Sequence, residues 1–270
     1  MNYRYEAGAF SLANTLECGQ CFRWKKDDDG SYLGVVGQKQ LRIKQEGTIV
    51  TLYNTTEDDF ISVWKNYFDF GTDYSAIYRD LCQDKTIKTA YEYAGEIHIL
   101  RQDPWEGLCS FIISQNNNIP RIIGIIDRLC RKFGEEINEG FFTFPSAERL
   151  ATVDLSDLSE LRAGFRAKYI LDAAQRVSDG RVDFSRISSA EIGIARQELS
   201  QIFGVGPKVA ECALLFGCYR LDAFPIDVWI KRVMDRYYRD GFPEFAKPYG
   251  GVAQQVLFHY MRCSEEAKNE

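Results

Sequence analysis

The chain contains 270 residues, 45% of them hydrophobic, and carries a formal net charge of −6 at pH 7. This length is sufficient to bury a core, so we expect a globular protein of one large domain or two modest ones. No apolar run reaches the roughly 18 residues of a membrane span, and the N-terminus lacks the basic-then-apolar order of a signal peptide. The composition therefore predicts neither a membrane span nor a secretory leader, and it favours a cytoplasmic protein.

Cysteine and histidine are too sparsely placed to predict a metal site. The 8 cysteines of a cytoplasmic chain are expected to be reduced, and Cys18 and Cys21 supply only half of a four-ligand zinc site. His98 and His259 are isolated, which disfavours both a metal cluster and Ser-His-Asp chemistry. No metal is therefore expected, and both histidines are expected to be structural.

The distribution of charge is more informative than its total. A sequence pI near 5.2 argues against a nucleic-acid partner, because phosphate binding needs local positive potential. Acidic residues are concentrated at 27–29, at 57–59 and in the C-terminal stretch 264–270, however. Residues 162–169 contain three cations and no acid, and residues 121–132 contain four cations and one acid. The sequence is thus compatible with a basic face on an acidic protein.

The first third of the chain is typical of antiparallel strands. Short β-branched and aromatic runs alternate with turn residues such as KKDDDG and EG. The predicted strands are CFRW (21–24), SYLGVVG (31–37), QLRIKQ (40–45) and TIVTLYN (48–54).

From about residue 60 the apolar period becomes helical, and from residue 96 it is clear. Asp103 and Pro104 predict a helix start. The apolar stripes predicted for this helix and the two that follow are Trp105, Leu108, Cys109, Ile112 and Ile113, then Ile122, Ile123, Ile126, Leu129 and Phe133, then Ile170, Ala173, Ala174 and Val177. We therefore predict an α+β fold in which a β-rich N-terminal domain (1–95), an antiparallel sheet, packs on an all-helical domain (96–270).

The segment LSQIFGVGPKVAECALLFG predicts two helices joined by a tight turn. The first helix should end near Ile202, and the second should begin at Pro207, whose missing N–H costs nothing at a first helical position. Gly204 and Gly206 allow the chain to turn and leave backbone N–H groups free for a phosphate oxygen. This pattern is a helix-hairpin-helix, although a plain corner between two helices would show the same glycines.

Lys208 and Asp227 are the residues of this region that suggest chemistry. Lys208 shares a helix face with Cys212 and Leu215, which would shield the amine from water. A shielded amine loses its proton more easily, and an unprotonated amine can form a Schiff base, although a lysine that extends to solvent is the ordinary alternative. Asp227 is predicted to cap the next helix, and its carboxylate could also stabilise positive charge on a sugar during glycosidic bond cleavage.

The residues GVGPK followed by PIDV resemble the helix-hairpin-helix (HhH-GPD) superfamily of DNA glycosylases. The resemblance implies that the hairpin grips the DNA backbone, that Lys208 is the nucleophile and that Asp227 assists it. Superfamily members with this lysine are typically glycosylases with an associated strand-cleaving lyase activity. Some members carry an iron–sulfur cluster bound by four closely spaced cysteines, whereas this chain has only Cys263 near its C-terminus, so no cluster is expected.

Three further segments resemble one branch of that superfamily, the 8-oxoguanine DNA glycosylases. They are LECGQCFRW (16–24), LRQDPWEGLCSFIISQNNNIPRI (100–122) and YGGVAQQVLFHYMR (249–262). The resemblance implies that the Gly19 carbonyl accepts the imidazole proton that oxidised guanine has and guanine lacks. It also implies that Gln254 reads the Watson–Crick edge of a flipped base, and that Phe258 and Cys212 sandwich the ring.

By the same resemblance, the segments QNNNIPR and GFRAK contact the DNA that the flipped base leaves behind. Asn116, Arg121 and Arg166 would meet the estranged cytosine, and Phe165 would wedge into the base stack. Two positions depart from the family pattern. Trp229 stands where a histidine is frequent, and Phe165 where a tyrosine is frequent, so phosphate contacts beside the lesion and stringency for cytosine could both be relaxed.

We therefore predict a bifunctional glycosylase and lyase that excises 8-oxoguanine from duplex DNA through a Lys208 Schiff base and cleaves the strand by β-elimination. It would need no cofactor and would act as a monomer in the cytoplasm, associated with the nucleoid in a bacterium. One alternative is a helix-hairpin-helix glycosylase for another damaged base, which Gly19, Gln254 and Phe258 disfavour. The other is a non-catalytic DNA-binding module, which the pairing of Lys208 with Asp227 disfavours.

Overall fold

The N-terminal part of the chain is built on one antiparallel sheet of five strands. A computed structural model describes residues 1–264; the last residues of the acidic stretch predicted at 264–270 lie outside the described part. The strand order is β1-β5-β4-β3-β2. The strands are β1 Tyr3–Glu6, β2 Trp24–Lys26, β3 Tyr32–Val36, β4 Lys39–Glu46 and β5 Ile49–Tyr53.

Strands β3, β4 and β5 lie where the sequence predicts them, and the other two differ. β2 begins at Trp24, so Cys21, Phe22 and Arg23 belong to the loop before it and not to a strand. β1 was not predicted, because its four residues are too few for a clear period of two. It pairs with β5 through the register Tyr3↔Leu52 and forms one edge of the sheet.

The remainder of the described chain is helical, apart from a small hairpin formed by β6 Glu136–Asn138 and β7 Phe141–Phe142. The predicted α+β class, a sheet domain packed on a helical domain, is confirmed. The α-helices are α1 Leu12–Glu17, α2 Glu57–Asp59, α3 Lys65–Tyr67, α4 Tyr74–Leu81, α5 Lys85–Ala94, α6 Pro104–Ser114, α7 Ile119–Phe133, α8 Ala147–Ala151, α9 Arg166–Ser178, α10 Phe184–Ser189, α11 Ile192–Leu199, α12 Pro207–Cys212, α13 Val228–Tyr237 and α14 Gly250–Cys263. Short π-helical segments span Phe60–Trp64 and Ala213–Gly217, and 3-10 segments span Leu155–Leu161 and Glu244–Tyr249.

Two apolar cores hold the elements together. The smaller core packs the sheet against α1 and the chain around Trp64 and Phe68, and it includes Leu41, Ile43 and Leu52. The larger core contains the helices from α4 onward. Helices α4 and α5 precede residue 96 and nonetheless belong to this larger core.

The predicted apolar stripes of α6 and α7 are the faces that these helices bury, with one exception. All five stripe residues of α6 are buried, and its start follows the prediction, since the Asp103 side chain accepts a hydrogen bond from the Glu106 amide. In α7, Ile123 is 40% exposed, and Ile125 is fully buried in its place. Ile122, Ile125, Ile126 and Leu129 form the face that this helix presents to the core.

Two glycines allow α6 to lie directly against the chain that follows α12. A Cβ atom on Gly107 would lie 2.9 Å from the Cα atom of Gly217, and one on Gly217 would lie 3.1 Å from the Pro104 carbonyl oxygen. Contacts this short leave no room for a side chain. The C-terminal end of α6 is thereby brought beside α12.

No helix among residues 1–264 is long and apolar enough to cross a membrane.

Candidate active site

An open cavity of about 860 Å³ lies between the sheet domain and the helices. Its lining comes from the loop before β2, from α6, α7 and their connection, from Phe165 before α9, from the hairpin with α12, and from helices α13 and α14. Seven of the predicted site residues line it, namely Gly19, Asn116, Phe165, Gly206, Lys208, Asp227 and Phe258. Distant segments of the chain therefore meet at one site.

Lys208 lies in the first turn of α12 and points its half-buried amine into the cavity. The Nζ atom donates a hydrogen bond to the Ser114 Oγ atom at 3.3 Å. It also lies 5.4 Å from the centroid of the Phe111 ring, within the range of a cation–π contact. Within the described chain, Lys208 forms no ion pair with a carboxylate. The hydrogen bond to Ser114 therefore positions the amine while leaving it without a counter-ion.

Asp227 caps α13, as predicted from the sequence. One carboxylate oxygen, Oδ1, accepts hydrogen bonds from the Trp229 amide at 3.0 Å and the Ile230 amide at 2.9 Å. The other oxygen makes no hydrogen bond with residues 1–264. Asp227 and Lys208 both line the cavity, yet they are more than 4.0 Å apart and form no ion pair. The space between them can therefore admit a third group.

Gly19 and Phe258 lie side by side in the wall of the cavity. Gly19 has φ +81°, a conformation that favours glycine. A Cβ atom at this position would lie 3.7 Å from the Cε1 atom of Phe258. The neighbouring Gln20 is fully buried, and its side-chain amide donates to the carbonyls of Thr15 and His98 and accepts from the Leu100 amide. The Gly19 backbone is therefore anchored to the sheet domain.

Cys212 and Gln254 lie behind the cavity wall and not on its surface. Both side chains are buried. Burial raises the pKa of the Cys212 thiol to about 11, although the nearby Lys208 opposes the shift. The Gln254 amide donates to the Pro225 carbonyl at 3.2 Å and accepts from the Gln255 amide at 2.7 Å. An amide can make four hydrogen bonds, so Gln254 still has donor and acceptor capacity to spare.

The connection between α6 and α7 is fixed by a buried arginine. Arg166 donates to the carbonyls of Gln115, Asn116 and Ala163, which uses most of its donors within the protein. Asn116 adopts a left-handed conformation with φ 46°, and its side chain is exposed at the cavity. Phe165 lies next to it, 46% exposed and 4.4 Å from the Arg166 guanidinium carbon.

Cations gather on this side of the cavity without carboxylate partners. Arg121 is exposed, and among residues 1–264 its side chain donates only to the Arg162 carbonyl, at 3.4 Å. Burial and then the charge of Arg121 lower the pKa of Arg166. Arg121, Arg162, Arg166 and Lys168 form no ion pair with any described residue. The side therefore has positive potential free to meet an anionic ligand.

The helix-hairpin-helix lies beside the cavity as expected, although α11 ends at Leu199 and not near Ile202. Residues between Ser200 and Ile202 continue as a hydrogen-bonded turn. Gly204 has φ +79°, and a Cβ atom on it would lie 2.4 Å from the Tyr169 ring. Gly206 caps α12 without a side chain, and open space surrounds its Cβ position. The turn thus requires glycine at Gly204 and leaves the backbone bare at Gly206.

Sequence reasoning missed several residues of the site. Ser114 stands immediately before the predicted QNNN segment, but its contact with Lys208 joins positions 94 apart and has no local signal. Phe22 and Phe111 line the cavity and pack edge-to-face with ring centroids 5.9 Å apart. Arg262 also lines the cavity. It lies one turn beyond Phe258, where the period of α14 could have indicated it.

The fold and the site together define a class of protein. The profile of the HhH-GPD superfamily of base excision DNA repair proteins matches residues 109–242. The profile of the N-terminal domain of 8-oxoguanine DNA glycosylases matches residues 2–108. The chain belongs to the HhH-GPD superfamily and, within it, to the family of 8-oxoguanine DNA glycosylase/lyases.

Relatives and solved structures agree with this assignment. The chain is 30% identical to the N-glycosylase/DNA lyase of Saccharomyces cerevisiae over 256 residues, which cover 84% of this chain and 68% of the yeast protein. The structure of MBOgg1 with a low affinity DNA ligand superimposes with a TM-score of 0.90 and 41% identity, covering 97% of this chain and 95% of that one. The 8-oxoguanine glycosylase/lyase of Clostridium acetobutylicum, in complex with double-stranded DNA containing cytosine opposite 8-oxoguanine, superimposes with a TM-score of 0.88 and 35% identity, covering 97% of each chain.

Proposed function

We propose that this protein removes 8-oxoguanine from duplex DNA and then cleaves the strand, with Lys208 as the nucleophile. The observation that carries the proposal is the placement of Lys208 and Asp227 on one cavity without an ion pair between them. An ion pair would consume the nucleophile, whereas a gap leaves room for a deoxyribose. The family membership of the chain and its named relatives support the same reaction.

The reaction begins when the Lys208 amine attacks C1′ of the damaged nucleotide. The glycosidic bond breaks, its electron pair leaves with the base, and the base takes up a proton. As this bond lengthens, positive charge develops on the sugar, and the unoccupied oxygen of Asp227 is available to stabilise it. Loss of a proton from nitrogen and opening of the sugar ring give an imine. Removal of a C2′ proton then expels the 3′ phosphate and cleaves the strand.

The part of the wall formed by Gly19 and Phe258 suits the flipped base. Phe258 offers a ring face for stacking, and the anchored Gly19 backbone offers a carbonyl that accepts the imidazole proton of oxidised guanine. The Cys212 thiol, buried behind this wall with its pKa raised to about 11, stays uncharged near neutral pH and adds no charge beneath the stacking surface. Gln254 also lies behind the wall, and it meets the Watson–Crick edge of a base that enters, with the hydrogen-bonding capacity that Pro225 and Gln255 leave free.

The exposed rim meets the DNA that surrounds the flipped nucleotide. Arg121 and the exposed Asn116 side chain have donors for the estranged cytosine. Phe165, nearly half exposed, is placed to enter the base stack. Arg166 acts in part through its hydrogen bonds to the 115–116 backbone, which hold Asn116 in its left-handed conformation. The hairpin at Gly204 and Gly206 approaches the phosphate backbone.

One damaged site engages one cavity, so we propose that the protein acts as a monomer on duplex DNA. A substrate of genomic DNA also indicates that it works where the genome is kept, which in a bacterial cell is the cytoplasm and its nucleoid.

Borohydride trapping tests the proposal. A duplex with 8-oxoguanine opposite cytosine should give a covalent adduct with the wild type and none with Lys208→Gln, and an undamaged duplex should give none. Lys231→Gln is the matched control, since that exposed lysine of α13 forms an ion pair with Asp235 and, among residues 1–264, with no other carboxylate. Base release without an adduct would exclude Lys208 as the covalent nucleophile.

Competition and binding separate the rival activities. Duplexes that contain an alkylated base or an oxidised pyrimidine should compete poorly against 8-oxoguanine, and strong competition would indicate a glycosylase for another base. Duplex binding that survives Lys208→Gln, with no base or strand product from the wild type, would indicate a DNA-binding module.

A further inference from the structure

Arg262 contacts both elements of the wall on which the flipped base is proposed to bind, the Gly19 segment and α14. It lies in the last turn of α14, and its Nη2 atom donates a hydrogen bond to the Glu17 carbonyl at 2.7 Å. Its guanidinium carbon lies 5.2 Å from the centroid of the Phe258 ring. A Cβ atom on Gly19 would lie 3.9 Å from its Nη1 atom. One side chain therefore connects the base-stacking helix to the Gly19 backbone.

The hydrogen bond of Arg262 is not part of an ion pair. The Glu17 carboxylate bonds instead to Lys26, at 3.0 Å, and to Tyr32. Arg262 forms no ion pair with residues 1–264. A cation in the last turn of a helix commonly serves the helix dipole, but this one donates to the Glu17 carbonyl, in the segment before Gly19, and not to a carbonyl of α14.

The bond completes the support of Gly19. On the C-terminal side, Gln20 anchors the chain to Thr15, His98 and Leu100. On the N-terminal side, Arg262 holds the Glu17 carbonyl. Gly19 lies between the two anchors in a conformation, φ +81°, that an unsupported loop would exchange readily for others. Of the two anchors, only Arg262 belongs to the helix that carries Phe258.

We infer that Arg262 is a positioning residue for recognition of the damaged base. It ties the Glu17–Gly19 segment to α14, so that the Gly19 carbonyl and the Phe258 ring keep a fixed separation. The inference rests on the proposed function, in which the base stacks on Phe258 while its imidazole N–H donates to the Gly19 carbonyl. The stacking contact with Phe258 and the hydrogen bond to the Gly19 carbonyl need to stay within about 0.5 Å of their working geometry. Otherwise the hydrogen bond cannot discriminate oxidised from normal guanine.

Two single-turnover reactions isolate this role. Excision of 8-oxoguanine uses the base pocket and Lys208, whereas strand cleavage at a preformed abasic site uses Lys208 alone. Arg262→Met keeps the apolar stem against Phe258 and removes the donors. It should slow base excision by roughly tenfold or more and leave abasic-site cleavage within about twofold. Arg262→Lys keeps one donor and should restore part of the loss. Arg239→Met is the matched control, because the side chain of Arg239, in the turn after α13, also donates to a backbone carbonyl, that of Asp235, and does not line the cavity.

A double-mutant cycle with Gly19→Ala asks whether Arg262 acts through Gly19. The two effects on base excision should be strongly non-additive, because Gly19→Ala strains the backbone at φ +81° and so displaces the same carbonyl that Arg262→Met has already released. Additive effects would overturn the inference, and so would equal losses in the two reactions, which would indicate a general structural role. Failure of the wild type to release 8-oxoguanine, with abasic-site cleavage intact, would instead overturn the proposed substrate and the inference with it.

Discussion

The Nζ atom of Lys208 lies 3.3 Å from the Oγ atom of Ser114, although 94 positions separate the two residues in the chain. The contact exists because α6 and the segment after α12 approach closely at Gly107 and Gly217. Ser114 stands at the C-terminal end of α6, and Lys208 stands in the first turn of α12. The packing of two glycines thus sets the position of the proposed nucleophile.

Ser114→Ala should slow both base excision and abasic-site cleavage by about two- to tenfold, the range of a neutral hydrogen bond of roughly 0.5–1.5 kcal/mol. Both reactions use the Lys208 amine, and the variant leaves this amine free to rotate away from C1′. Single-turnover rates on the two substrates measure the effect. Ser62→Ala removes an exposed hydroxyl that bonds to the Asp58 carbonyl and should change neither rate. Unchanged rates in Ser114→Ala would show that Ser114 does not orient the amine.

Asp227 combines a structural and a catalytic role that two substitutions can separate. Asparagine caps a helix about as well as aspartate, so Asp227→Asn should leave the free energy of unfolding nearly unchanged, whereas Asp227→Ala should lower it by about 1 kcal/mol. Both variants remove the negative charge and should reduce base excision by roughly a hundredfold or more. Urea unfolding and single-turnover excision give the two quantities. An Asp227→Asn variant with wild-type activity would show that the charge is not used.

Replacing each of the two hairpin glycines with alanine should have different effects on stability and on duplex binding. Gly204→Ala forces a side chain into a left-handed conformation and against the Tyr169 ring, so it should lower the free energy of unfolding by about 1–3 kcal/mol. Gly206→Ala meets no atom within 4 Å, so its cost should stay near 1 kcal/mol or less. Because Gly206 lines the cavity, its variant should weaken duplex binding instead. The free energy of unfolding and the duplex affinity, measured for both variants, test this contrast. Equal losses of affinity in the two variants would contradict it.

Local signals explain which features the sequence predicts. Asp103 and Asp227 cap helices as expected, and Pro207 begins α12, because caps and proline positions depend on neighbours within one turn. β1 was missed because four residues give too short a pattern, and Ile123 was placed on the wrong face because a run of isoleucines leaves the phase of a helix ambiguous.

Tertiary contacts explain what the sequence does not show. Arg166 was predicted to meet cytosine, and its engagement with the Gln115 carbonyl joins positions 51 apart. Gln254 bonds to the Pro225 carbonyl 29 positions away, which no spacing rule anticipates. Their roles in DNA recognition stay predictions, and each now has a competing partner inside the protein that DNA would have to share or displace.

The buried thiol of Cys212 gives a prediction for alkaline pH. Burial raises its pKa from an ordinary value near 9 to about 11, so the folded protein binds this proton more tightly than the unfolded chain does. The associated stability is fully present below about pH 9 and is lost as the pH rises towards 11. Cys212→Ser has no group that titrates in this range. The free energy of unfolding of the wild type minus that of the variant should therefore be constant from about pH 7 to 8.5 and fall by roughly 2–3 kcal/mol by about pH 11. Urea unfolding of both proteins measures the difference, in which the titrations common to both cancel. A difference that does not change with pH would mean that water reaches the thiol, and the layer behind the wall of the base pocket would then not be the apolar support that stacking requires.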